Sequence, residues 1–242
     1  MGSVLIPPSQ TISPAIFYWG TPVVLITTEN EDGTFNIAPM SSAWWLGNRC
    51  MLGLGAISQT TINLIRTKQC VLNLATNGME EAVNALAKTT GAAGVTTAAE
   101  DTGYLYFKRM NGYKFVHDKF GHSGLTPTPS DLIRPARIAE CPAQMEAELK
   151  GVYEMMQDAN TKGLIALEVK VLRTHVHNNI RMAGHANRID PDKWHPLIMS
   201  FQELYGLAPK KVSQSRLAQI NEEGYRPFSN CVEDTENAKK ES

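Results

Sequence analysis

Along most of this chain the apolar residues fall in short runs bounded by turn residues, the rhythm of strands more than of long helices. Residues 22–28 are rich in β-branched side chains, residues 29–33 (Glu-Asn-Glu-Asp-Gly) have turn composition, and residues 34–38 resume the strand pattern. Together they predict a β-hairpin. Residues 50–56 and 70–75 read as short buried strands, and between them Ser58 is placed to cap a helix running to about Lys68. Residues 79–88 carry apolar positions at Met79, Val83, Leu86 and Ala87, a helical spacing. Residues 91–99, built largely from Ala, Thr and Gly, read as a mobile connection.

Residues 143–150 set two rules against each other. Ala143-Gln144-Met145-Glu146-Ala147-Glu148-Leu149-Lys150 consists of good helix formers, yet apolar and polar residues alternate strictly. Alternation marks a half-buried strand, and pattern outranks propensity, so Gln144, Glu146, Glu148 and Lys150 are expected on the outer face. Residues 165–171 alternate in the same way, with Glu168 and Lys170 outward, and the two segments are expected to pair as antiparallel neighbours. The sum predicts a mainly β fold, a barrel with a few helices, and not a doubly wound parallel sheet. Residues 1–13 form a Pro- and Ser-bearing lead-in that packs loosely. Residues 1–229 are expected to make one domain, and the polar residues 230–242 a disordered tail.

Composition narrows the class. A length of 242 residues suffices for one full core, and 43% hydrophobic with 19% charged residues is ordinary for a globular protein. A net charge of −1 argues against nucleic acid or an anionic membrane as partner, and no apolar run is long enough to span a bilayer. The N-terminus lacks a signal-peptide pattern, and Ile6 stands where myristoylation after Gly2 wants Ser or Thr. Cys50, Cys70, Cys141 and Cys231 are scattered without a C-x-x-C pair, which predicts reduced thiols and a cytoplasmic setting.

Charge distribution is more telling than charge total. From Gly33 to Met79 the chain holds no aspartate or glutamate, where the average density (24 in 242) would place about five, while Arg49, Arg66 and Lys68 are all present. The Ser58 helix begins inside this window. A helix start offers unpaired N–H groups and a positive dipole end, and with hydroxyls at Ser58, Thr60 and Thr61 it suits a phosphate. Read alone, Ser58 merely caps a helix; the acid-free surroundings favour the anion reading.

The order Gly33-Thr34-Phe35-Asn36-Ile37-Ala38-Pro39-Met40-Ser41-Ser42-Ala43-Trp44, then Ser58-x-x-Thr61-x-x-x-Ile65, then Val71-Leu72-Asn73-Leu74, resembles the flavin reductase-like, FMN-binding split-barrel family over roughly residues 22–207. The resemblance implies FMN as cofactor, with Asn36 near it, Met40, Ser41, Ser42, Ala43 and Trp44 along the isoalloxazine ring, and Ser58, Gln59, Thr60 and Thr61 about the phosphate. It also implies a homodimer, hydride transfer from NADH or NADPH to flavin N5, and, if reduced flavin diffuses away, a partner monooxygenase. Residues 114–122 resemble the stretch over the flavin's open face, where Lys119 can neutralise phosphate and His122 can donate a proton; an ordinary charged surface loop is the competing reading.

Other signals are weaker. Gly53-Leu54-Gly55-Ala56-Ile57-Ser58 starts like a dinucleotide fingerprint but lacks its third glycine and its distal acid. His175 and His177 share a strand face, yet acid and cysteine partners for a metal are not evident, so no metal is expected, and His185 adds none. Trp45 reads as a core or interface anchor. Rivals to a diffusible-flavin reductase are an enzyme that keeps FMN and acts on a small organic substrate, for which residues 89–135 are long enough to build a pocket, and a non-catalytic FMN-binding or electron-transfer protein. A flavin-free β-barrel interaction module rests on fold analogy alone.

Overall fold

The structure, a computed structural model, describes residues 7–159, 163–208, 210–223 and 225. Its elements in chain order are β1 (Trp19–Pro22), β2 (Val24–Glu29), β3 (Phe35–Met40), β4 (Ala43–Leu46), β5 (Arg49–Gly55), α1 (Gln59–Thr67), β6 (Gln69–Leu74), α2 (Glu80–Ala87), β7 (Thr89–Thr90), α3 (Tyr104–Met110), β8 (Lys114–Phe115), α4 (Lys119–Ser123), β9 (Pro127–Thr128), β10 (Arg137–Ile138), β11 (Ala143–Glu154), β12 (Leu164–Val176), β13 (Leu197–Ser200) and β14 (Glu203–Gly206). Seven strands form one antiparallel sheet in the order β3-β2-β6-β11-β12-β5-β4. Among the described residues no ladder closes it into a barrel, so β3 and β4 remain its two edges.

The predicted hairpin is β2–β3, turned by Asn30 to Gly33, with Gly33 at φ 83° where a side chain would be strained. The predicted strands around residues 50–56 and 70–75 are β5 and β6, and the helix between them is α1. Alternation also correctly outranks propensity at residues 143–150: β11 pairs antiparallel with β12 over its whole length.

One detail of that strand differs. Gln144 and Glu146 are buried, not solvent-facing, because β11 lies mid-sheet and the segment before β10 folds over its polar face. Glu146 is fully buried. Its Oε1 accepts from the Asp131 N–H at 2.9 Å, its Oε2 from the Leu132 N–H at 2.7 Å, and His175 Nε2 stands 2.6 Å from Oε1. Gln144 donates to the Ile138 and Cys141 carbonyls and accepts from Arg137. Polarity alone cannot tell a side chain facing water from one facing a covering loop whose backbone donors it satisfies.

Two apolar clusters fill the two faces of the sheet. One gathers Val24, Ile26, Leu52, Leu64, Leu72, Ala147, Leu167 and Val169; the other gathers Leu25, Ile37, Val83, Leu86, Phe120 and Ile138 beneath α2 and α4. Cys50, Cys70 and Cys141 are free and buried, and desolvation pushes their thiols up, Cys50 to about 12. Such thiols stay protonated and act as small apolar groups. Cys231 and residues 230–242 lie outside the described residues.

The segment at residues 91–99 is packed rather than loose. It forms two 3₁₀ turns (Ala93–Thr97 and Glu100–Thr102) and buries Val95 and Ala98. Its small residues, which suggest a mobile link, serve close approach instead. Among the described residues no helix is long and apolar enough to cross a membrane.

Candidate functional site

The start of β3, the end of β5 and the first turn of α1 meet at one place, and the start of β4 runs alongside β5. Their meeting follows from topology: β5 runs straight into α1, and α1 packs back on β2 and β3. Ser58 is the N-cap, extended at φ −71° and ψ 147°, with its Oγ accepting from the Thr61 N–H at 3.2 Å. Thr61 Oγ1 donates to the Gly55 carbonyl at 2.8 Å and bonds Ser58 Oγ at 2.9 Å. The cap uses the Thr61 N–H, which leaves the Gln59 and Thr60 N–H groups facing outward from the helix start. No acidic residue occupies the first turn.

The hydroxyls named from sequence therefore divide. Thr61 is fully buried and anchors the helix start. Replacing it with valine is expected to lower stability by about 1–2 kcal/mol, read as a shift of the urea midpoint; an unchanged midpoint would contradict that role. Thr60 accepts from Asn36 Nδ2 at 3.0 Å, while Gln59 donates to Asn63, which in turn donates to Thr28 and Asn30. Asn36 Oδ1 is buried and has no hydrogen-bond partner among the described residues. A buried acceptor without a donor is costly unless a ligand supplies one.

The segment after α2 carries two buried lysines. Lys119, 3% exposed, caps nothing acidic: its Nζ donates to the Ile37 carbonyl at 2.8 Å. Burial, with the charge of Lys108 nearby, lowers the Lys119 ammonium to about 7. Lys108 is 8% exposed, and burial lowers it as well. Among the described residues neither forms an ion pair. Lys108 Nζ lies 4.7 Å from the Tyr104 ring centroid and 5.6 Å from that of Tyr113, with a long bond of 3.4 Å to Thr90 Oγ1.

The segment between α2 and α4 roofs the cleft. Gly91 comes so close to Asn36 and Gln59 that a methyl group there would stand 2.8 Å from each side chain, and Tyr104 packs over Gly55. Along β5, Gly53 lies against Ser42, whose Oγ bonds Tyr18 Oη at 2.8 Å. Ser41 and Ala43 are buried, Met40 packs on the core, Trp44 is exposed on edge strand β4, and Trp45 packs against the core. Thus Asn36, Gln59 and Thr60 meet beneath Gly91, Lys119 bonds the carbonyl of Ile37, next in the chain to Asn36, and Ser42 lies against β5, while Trp44 faces solvent.

His122 is not among them: its Nε2 is 3.1 Å from the Ala85 carbonyl of α2. Nor are the strand histidines without acids, as sequence implied. Asp131, Glu146 and His175 offer atoms within 4.8 Å of one another: Glu146 is two residues along β11 from Gln144, the register partner of His175, and Asp131 comes from the loop before β10. Glu146 is saturated there, so the group reads as a clamp holding the loop. His177 lies past the end of β12, and His185 is exposed. Lys108, Thr90, Gly91, Tyr104 and Tyr18 escape sequence reasoning, although the Tyr104-x-x-x-Lys108 spacing on one helix face was a usable signal.

The fold is that of the flavin reductase-like split barrels, and residues 18–188 match the flavin reductase like domain family. The chain belongs to that family, which gives it a flavin-related oxidoreductase role. A curated relative, the uncharacterized protein YdfE of Bacillus subtilis (strain 168), is 37% identical over 198 residues, 82% of this chain and 89% of the relative. Among solved structures, flavoredoxin of Desulfovibrio vulgaris (Miyazaki F) aligns at TM-score 0.67 and 14% identity, over 88% of this chain and all of the other. Nitrilotriacetate monooxygenase component B from Bacillus cereus aligns at 0.63 and 16%, over 86% of this chain and all of the other. These two likenesses speak to the fold.

Proposed function

We propose that the protein binds FMN in this cleft and reduces it with NADH or NADPH. The observation that carries the reading is Lys119, a buried ammonium with no carboxylate, bonded to the Ile37 carbonyl next to Asn36, whose side chain in turn bonds Thr60 of the acid-free helix start. A buried charge without a counter-ion is unfavourable, and a phosphate supplies the missing anion. The Gln59 and Thr60 N–H groups and Lys119 would hold that phosphate. Asn36 Oδ1 would accept from a ligand hydroxyl, and the chain from Met40 to Ala43 would lie along the ring. Bound there, the isoalloxazine supplies two-electron chemistry at N5. The protein's share is orientation, charge compensation at the phosphate, and exclusion of water by Tyr104 and the roof segment.

Exposed Trp44 and Leu46 on edge strand β4 support a homodimer as the working form. A cytoplasmic location and, where reduced flavin leaves, a separate monooxygenase as recipient belong to the same proposal. A second reading, an enzyme that retains FMN and acts on an organic substrate, draws support from the segment at residues 89–116, which covers the start of α1 through Gly91 and the end of β5 through Tyr104.

The test is a fluorescence titration of the purified protein with FMN, followed by anaerobic mixing with each nicotinamide. Saturable FMN binding and loss of visible flavin absorbance are expected. Protein isolated yellow supports the retained-flavin reading, and colourless protein active only with added FMN supports the diffusible one. Flavin that binds but is bleached by neither nucleotide leaves electron transfer, and absent FMN binding overturns the proposal.

A further inference from the structure

Lys108 is not needed for a phosphate at the helix start, which Lys119 and the α1 N–H groups serve, yet it is the more elaborately held cation. Two tyrosine rings, Tyr104 on its own helix and Tyr113 just beyond it, flank its ammonium at 4.7 and 5.6 Å. Ring faces attract a cation but do not neutralise it, so the charge stays available to an anion. Tyr104 reaches from this cation to Gly55 on the cleft floor, and Phe107 stacks beside it, centroids 6.2 Å apart and planes 8° from parallel. Both rings keep about half their surface open, at 42% and 55% exposure. A buried cation and two part-exposed rings thus come from one helix turn, next to Gly55 of β5. Lys119 adds a like charge nearby. One phosphate beside Lys119 leaves the Lys108 charge unanswered.

We propose that this roof is a second subsite, taking a small aromatic carboxylate with its anionic group on Lys108 and its ring against Tyr104. The inference rests on the flavin reading for its place in a reaction, and it specifies the organic-substrate form of that reading. Ring and charge are both required. An aliphatic acid forgoes the stacking surface, and a neutral arene forgoes the ammonium.

The probe is benzoate, titrated by calorimetry into the purified protein with and without saturating FMN, with cyclohexanecarboxylate and benzyl alcohol as comparisons. Benzoate is expected to bind in both forms, at least about fivefold tighter than either comparison. Lys108→Met is expected to weaken benzoate at least about tenfold, Lys108→Arg to restore most of it, and Tyr104→Leu to weaken benzoate but not cyclohexanecarboxylate. Should Lys108→Met not fold, the arginine and Tyr104→Leu proteins carry the test. Benzoate binding that is absent, indifferent to Tyr104, or matched by cyclohexanecarboxylate overturns the subsite. So does a Lys108→Met protein that loses FMN while keeping benzoate. Benzoate bound without FMN affinity keeps the subsite and defeats the flavin reading instead.

Discussion

Lys119→Met is expected to raise the Kd for FMN by roughly ten- to a hundredfold, the worth of a hydrogen bond to a charged group. Riboflavin, which lacks the phosphate, should bind the variant and the parent alike. Methionine keeps an apolar stem of similar length while removing a desolvated charge, so lost affinity will not reflect unfolding. Equal FMN affinity in the two proteins would remove Lys119 from the site.

The same residue dictates a pH dependence. Its folded value of about 7 lies below the ordinary lysine value of 10.5. Between those two pH values the unfolded chain holds a proton that the flavin-free folded protein lacks. Stability therefore rises with pH across that window, and the full penalty of the buried charge is present below pH 7. A phosphate beside Lys119 restores its proton. FMN binding above pH 7 should then take up a proton, and affinity should fall with rising pH by up to about tenfold per unit. Riboflavin titrations, or Lys119→Met, should show no such slope.

The second large effect concerns stability. Glu146→Ala should destabilise the fold by about 2–5 kcal/mol, since two buried backbone donors lose their acceptor at about 1–3 kcal/mol each. The change orphans the Asp131 and Leu132 N–H groups and leaves His175 without its carboxylate. Urea denaturation reads this directly. A loss below about 1 kcal/mol would show that the loop before β10 repacks freely and that Glu146 is no clamp.

Glu146 also shows how far a one-dimensional pattern reaches. Alternation from Ala143 to Lys150 was enough to overrule helix propensity, because a strand's period is a local property of the backbone. Whether its polar face meets water depends on which strands flank β11 and which loop crosses it, and both are set by residues distant in sequence. The histidine partners were hidden for the same reason: Glu146 and His175 are separated by a hairpin and meet only through strand register.

The candidate site divides along the same line. The helix start at Ser58, the absence of acids around it, the β2–β3 hairpin and the β-rich class were all legible in the residues alone, since capping, charge and periodicity act over a few neighbouring positions. Three-dimensional packing was needed to see that Thr61 anchors the helix start, that His122 bonds α2, that Gly91 of the supposedly slack connection lies against Asn36 and Gln59, and that Tyr104 of α3 packs on Gly55. Burial, orphaned acceptors and unpaired charges are properties of what surrounds a residue, and the chain supplies those surroundings from far away.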